Sequence, residues 1–100
     1  MSDLTVSVSH RLSQDEALRR IRATVAQARA EYADEIDDLR ESWSGYVGDF
    51  QFSAMSQQAS GAVTVNPSNV TVQITLPFLA LVFKSRIESG MRDELTRILA

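Results

Sequence analysis

The chain has 100 residues, 44% of them hydrophobic, with a net charge of −3 and no cysteine. That is enough for one domain with one core, and it excludes disulfide scaffolds, thiolate metal sites and thiol nucleophiles. The N-terminus, Met1-Ser2-Asp3-Leu4, lacks a basic region and a long apolar run, so no signal peptide is expected. The longest apolar stretch, Leu76 to Phe83, is too short to span a bilayer, so neither a transmembrane segment nor a location outside the cytoplasm is expected.

The segment Leu4-Thr5-Val6-Ser7-Val8-Ser9 alternates apolar and polar residues, which predicts a half-buried strand. Ser13 follows as an N-cap with Glu16 three residues on, the pattern of a capping box. The helix it opens carries Leu18, Ile21, Val25, Ala28 and Tyr32 on one stripe, with Asp15–Arg19 and Glu16–Arg20 at ion-pair spacing. Ile36 and Leu39 extend the stripe, so the pattern allows the helix to run past Ala33. From Arg40 the period changes to two. Ser42-Trp43-Ser44 reads as a short strand, and either Gly45 or Gly48-Asp49 offers a turn. Phe50, Phe52 and Ala54 alternate with polar residues in the next strand, and Ser56-Gln57-Gln58 reads as a loop. Gly61, Val63 and Val65 form a further strand, Asn66-Pro67-Ser68-Asn69 a turn, and Val70, Val72, Ile74 and Leu76 the clearest strand of all. Pro77 then suits a helix start. The last helix is expected from about Phe78 to Leu99, burying Leu79, Phe83, Ile87, Met91, Leu95 and Ile98, with Gly90 permitting close packing on the sheet.

The expected fold is therefore α+β: an antiparallel sheet of four to five strands with two helices on one face. The order is β-α-β-β-β-β-α, a helix-grip-like arrangement spanning residues 1–100 as one domain. Short connections of this kind join antiparallel neighbours.

Little in the chain points to catalysis. His10 is the single histidine, a general base if Asp15 or Asp49 stood beside it. The simpler reading is a loop side chain bonded to backbone near the helix start. With no second histidine and no cysteine, no nucleophilic pair can be assembled, and the chain is not expected to be an enzyme or to need a cofactor. The acidic residues Glu31, Asp34, Glu35, Asp37, Asp38 and Glu41 lack the spacing and central glycine of a calcium loop and read as a solvated helix end. They also follow Arg19, Arg20 and Arg22, so no basic stripe for nucleic acid forms.

Two surfaces carry more information. Between Ser42 and Phe83 the one charged residue is Asp49, so the polar face of the sheet, including Thr71, Gln73 and Thr75, is almost uncharged. Solvent-facing strands commonly carry Lys and Glu against edge association, and such a face can be plain surface, a homodimer contact or a ligand shelter. The second surface is the opening of the last helix. Phe78 and Val82 fall on the side later taken by Ser85 and Ser89, with Leu81 at the edge, so the first turns are apolar nearly all round. Loop cover or an exposed patch for a partner both fit. In a helix-grip reading, Trp43, Phe50, Phe52 and Phe83 line a pocket for an apolar ligand between sheet and helix; the competing reading is that they fill the core.

Taken in order, several pieces resemble one known family. They are His10-Arg11-Leu12 ahead of Glu16-Ala17, Trp43 with Gly45, Phe52, Gly61-Ala62-Val63-Thr64-Val65, Val70-Thr71-Val72, and Leu76-Pro77-Phe78-Leu79-Ala80 leading to Lys84-Ser85-Arg86-Ile87-Glu88. From about Leu4 to Leu99 the chain resembles the small polyhydroxyalkanoic acid system proteins, also described as granule-region proteins. The resemblance implies a bacterial cytoplasmic protein associated with polyester storage. The expectation built on it is a non-enzymatic accessory protein that contacts the granule surface, a granule-associated protein or its own copy through the start of the last helix or the polar sheet face. The resemblance brings no catalytic residue. The chain departs from the family pattern at Ser44-Gly45-Tyr46, where an acidic residue tends to stand beside the glycine, and in its longer acidic stretch before Trp43.

Overall fold

The computed structural model describes residues 2–34, 36–54, 57–76 and 82–100. Five strands, β1 (Ser2–Ser9), β2 (Asp37–Ser44), β3 (Val47–Ala54), β4 (Gln57–Val65) and β5 (Asn69–Leu76), form one antiparallel sheet in the order β1-β5-β4-β3-β2. Helix α1 (Gln14–Glu31) lies between β1 and β2 in the chain, and α2 (Lys84–Ile98) ends it. The expected α+β class, strand count and element order are all found.

Register shows why alternation works here. Leu4 stands opposite Ile74, Val6 opposite Val72 and Val8 opposite Val70, while Val72 and Val70 face Val63 and Val65 on β4. This apolar face meets Ala17 and Ile21 of α1 and Leu95 and Leu99 at the end of α2 in one buried cluster. Complete burial of each large aliphatic member contributes ~1.5–3 kcal/mol, so the sheet and both helices hold one another.

Several element boundaries differ from the sequence expectations. Helix α1 stops at Glu31, with the Tyr32 N–H donating to the Ala28 carbonyl, and Leu39 lies in β2 rather than on a continued helix. Strand β2 starts with a register shift between Asp37 and Arg40, where Asp38 takes φ 54°. Gln57 and Gln58 belong to β4, paired with Ala54 and Ser53, instead of to a loop. Helix α2 begins at Lys84, and the expected start over Phe78, Leu79 and Leu81 lies outside the described residues. Phe83 is half-exposed at the start of α2 rather than a member of its buried stripe, and Tyr32 is likewise half-exposed.

The glycines separate the two candidate turns. Gly45 takes φ +58° at the β2–β3 turn, a left-handed conformation that a Cβ disfavours. Gly48 instead sits within β3, opposite Trp43, and a Cβ there would lie 2.8 Å from the indole. The ring therefore lies across the bare backbone. Gly90, expected to permit close packing, faces open space.

These contrasts give opposite outcomes for two glycine substitutions. In urea titrations, Gly48→Ala is expected to lose about 1–3 kcal/mol because Trp43 must shift. Gly90→Ala is expected to gain about 0.4–1 kcal/mol, since an exposed helical position loses only chain flexibility.

Candidate functional site

Four sets of side chains stand out, and the first is a polar junction where β1 leaves the sheet. His10 is buried. Its backbone N–H donates to the Ser68 carbonyl at 2.8 Å, and the Leu12 N–H donates to its Nδ1 at 3.2 Å. A backbone N–H can only donate, so Nδ1 accepts and Nε2–H donates to the Asn66 carbonyl at 3.0 Å. Both ring nitrogens are thus committed to backbone, as the simpler sequence reading held. Asp15 is engaged elsewhere and Asp49 lies on the far face of the sheet, so neither forms a pair with the imidazole.

Around His10 the junction is closed by Gln14, whose Nε2 donates to the Val65 carbonyl at 2.9 Å, and by Tyr46, whose hydroxyl donates to Asp15 at 2.5 Å. The Asp15 carboxylate holds the Tyr46 phenol above its ordinary value, and partial burial adds to the effect. Because Asp15 faces Tyr46, the expected Asp15–Arg19 pair does not form. Ser13 Oγ accepts from the Glu16 N–H at 3.1 Å, which is half of the expected capping box. The Glu16 carboxylate turns instead to Arg19 and Arg20. Arg20 also donates to the carbonyls of Ile98 and Ala100, at 3.0 and 2.9 Å, so it joins the start of α1 to the end of α2.

The second set is an aromatic seam on the helix-covered face. Trp43 and Phe50 meet edge to face, with centroids 5.8 Å apart and planes at 89°. Such a pair adds ~0.5–1.5 kcal/mol beyond area burial. Arg22 of α1 lies 5.3 Å from the indole centroid. Glu41, on the same face of β2, accepts from the indole N–H at 2.6 Å and from Arg29 at 3.3 Å. The sequence reading had left Glu41 among solvated acids. The signal it missed was the period of two, which puts Glu41 two residues from Trp43 on one face of a strand. Of the residues expected to line a pocket, Trp43 and Phe50 are brought together, Phe52 follows on β3, and Phe83 stands exposed at the start of α2.

The third set is the helix-free face, where register arranges polar side chains in rows. Arg40, Gln51, Ser60 and Thr75 stand opposite one another across β2, β3, β4 and β5. In the next row Asp49, Ala62, Gln73 and Thr5 do so from β3 to β1, and Thr71 pairs Ser7 beyond, with hydroxyls 3.2 Å apart. The expected face residues Thr71, Gln73 and Thr75 therefore share one surface. That surface is dented: depressions of about 590 Å³ and about 470 Å³ adjoin, both lined by Gln51, Ser60 and Thr75.

The fourth set is the start of α2. Val82 is 81% exposed and Phe83 51%. Phe78 and Leu81, expected beside them, lie outside the described residues. Among the described residues no cluster of three metal-ligating side chains occurs, and no helix is long and apolar enough to cross a membrane.

A family model described as "Putative polyhydroxyalkanoic acid system protein" matches residues 4–99. No curated protein matches the chain.

Two measurements probe the junction. His10→Ala removes a donor and an acceptor from part-buried backbone partners and is expected to cost about 1–3 kcal/mol in chemical denaturation. Glu16 is held from its ordinary value of 4.5 down to about 2, first by the hydrogen bond from Arg19 and then by that from Arg20. Because the folded value is the lower one, its contribution is complete above pH 4.5 and lost as pH falls toward 2. Thermal melts across that window are expected to show a shallower acid loss for Glu16→Gln than for the unsubstituted chain.

Proposed function

Since the chain belongs to the polyhydroxyalkanoic acid system protein family, we propose that it is a non-enzymatic accessory protein of polyhydroxyalkanoate storage. It works in the cytoplasm by contact with the granule surface or a granule-associated protein. The observation that carries the mode of contact is the exposure of Val82 and Phe83 at the start of α2. An exposed Phe beside an exposed Val is costly in water and serves where an apolar surface covers it. The sequence just before them, Pro77-Phe78-Leu79-Ala80-Leu81, is apolar throughout, so Phe78 and Leu81 are assigned to the same contact. The helix-free sheet face with Thr71, Gln73 and Thr75, which carries Arg40 on β2 and Asp49 on β3, is the second contact surface, for a protein, a ligand or another copy of the chain.

The chemistry of the described residues supports this reading over a catalytic one, because the single imidazole is spent on backbone. A carrier holding an apolar ligand in a helix-grip between sheet and α2 has weaker support. Trp43 and Phe50 pack on each other, and Phe83 is turned partly to solvent instead of joining them.

Co-sedimentation with isolated granules at physiological salt tests the proposal. The unsubstituted chain is expected in the pellet. The pair Val82→Ser and Phe83→Ser is expected to weaken association by about tenfold or more, from ~1.5–3 kcal/mol per large apolar side chain buried, with unchanged far-ultraviolet circular dichroism. A chain left wholly in the supernatant would remove the proposal.

A further inference from the structure

We infer that the helix-free face of the sheet is a binding trough for a short, ester-bearing hydroxyalkanoate chain, running along β4. The inference deepens the proposed storage role, on which it rests for the class of ligand. The trough itself follows from register and side-chain size. The outward residues at the middle of β4 are Ser60 and Ala62, and their neighbours across the ladders are Gln51 and Asp49 on β3 and Thr75 and Gln73 on β5. Two short side chains at the middle of β4, with Gln51 on one side and Gln73 on the other, leave a hollow over that strand. The adjoining depressions of about 590 and about 470 Å³ are that hollow. Its lining runs from Gln58, a long side chain at one end, to Ala62, about 13 Å along β4 at about 3.3 Å per residue.

Its chemistry selects the occupant. Backbone groups of the central strands are spent in the ladders, so only side chains can read a ligand there. Gln51 and Gln73 offer amide donors, Ser60 a hydroxyl and Arg40 a guanidinium that forms no ion pair among the described residues. An aliphatic polyester presents carbonyl acceptors at regular intervals, carries no donor along its length, and has methyl or alkyl groups that lie against Ala62. Other occupants fit worse. Nucleic acid requires a set of cations, and Arg40 is the one cation among the described residues of this face, with Asp38 and Asp49 close by. A saccharide would be expected to stack on an aromatic ring, but Trp43 and Phe50 face the helices. A peptide strand would pair with an open sheet edge, where backbone donors and acceptors are free.

The test uses a soluble trimer of 3-hydroxybutyrate and its methyl ester, titrated into the full chain and followed by amide chemical shifts and calorimetry. Saturable shifts at Gln51, Ser60, Ala62 and Gln73 are expected with both, since the ester-bearing stretch is what is read. Ala62→Phe, which fills the groove from the solvent side, is expected to weaken binding at least tenfold with an unchanged melting temperature. Gln51→Ala with Gln73→Ala removes donors from exposed positions and is expected to do the same, so a folding defect in the first variant does not shelter the idea. Absence of saturable binding, or equal binding by both variants, would overturn it. Granule co-sedimentation separates the two readings. If Ala62→Phe loses the trimer yet still pellets with granules, the trough is supported and granule contact runs through Val82 and Phe83. If the unsubstituted chain binds the trimer but never pellets, the trough stands while the granule-contact reading fails.

Discussion

The architecture depends on holding the exit of β1 against the turn that joins β4 to β5. Strand β1 lies at one edge of the sheet and β2 at the other, so α1 must cross every strand between them. Four strand spacings are about 19 Å, and an 18-residue helix extends about 27 Å, which is long enough for the crossing from a fixed entry point. His10 fixes it, with one ring nitrogen on Asn66 and the other on Leu12. Gln14 and Tyr46 add ties to the end of β4 and from the β2–β3 turn. Spending the imidazole on this junction is also what withholds it from chemistry.

Beyond the junction, cover over the sheet is uneven. Ala17, Ile21, Leu95 and Leu99 are buried on the β1, β5 and β4 part of the apolar face. Toward β2 the packing turns amphipathic, with Arg22 and Arg29 of α1 meeting Trp43 and Glu41. Gly48 is what allows the indole to lie down there. At the other helix, Arg20 ties down the carboxyl end of α2 while Val82 and Phe83 stand in solvent at its opening. One end of α2 is thus structural and the other is available for contact.

The opening of α2 and the helix-free face differ in kind. The opening of α2 is apolar and unspecific, suited to a hydrophobic boundary. The helix-free face is rich in amide and hydroxyl groups and is shaped by strand pairing, suited to reading a ligand's acceptors. A storage-associated protein that touches a granule by one surface and a polyester chain by the other would use both without any catalytic group.

Much of this was legible in the residues. Strict alternation in Leu4 to Ser9 and Val70 to Leu76 identified β1 and β5 and their inner faces, because a half-buried strand needs only a period of two. Ser13 identified the start of α1, and Asn66 to Asn69 the last hairpin, through local hydrogen bonding that the sequence itself contains. Local pattern failed where two periods overlapped or a partner was distant. Leu39 fitted a helical stripe but joined β2, and Gln57 and Gln58 looked like a loop until β3 supplied their ladder. Glu41 was an ordinary surface acid until Trp43 and Arg29 were set beside it. Phe83 fitted a buried stripe by spacing, yet the part of α2 that packs on the core starts at Ile87. By itself, then, the sequence determined which residues face inward on each element, since periodicity is a property of one segment. Only the tertiary structure decided that Ser60 and Ala62 of β4 lie between Gln51 on β3 and Gln73 on β5, because relief on a sheet comes from register among strands that the chain keeps apart.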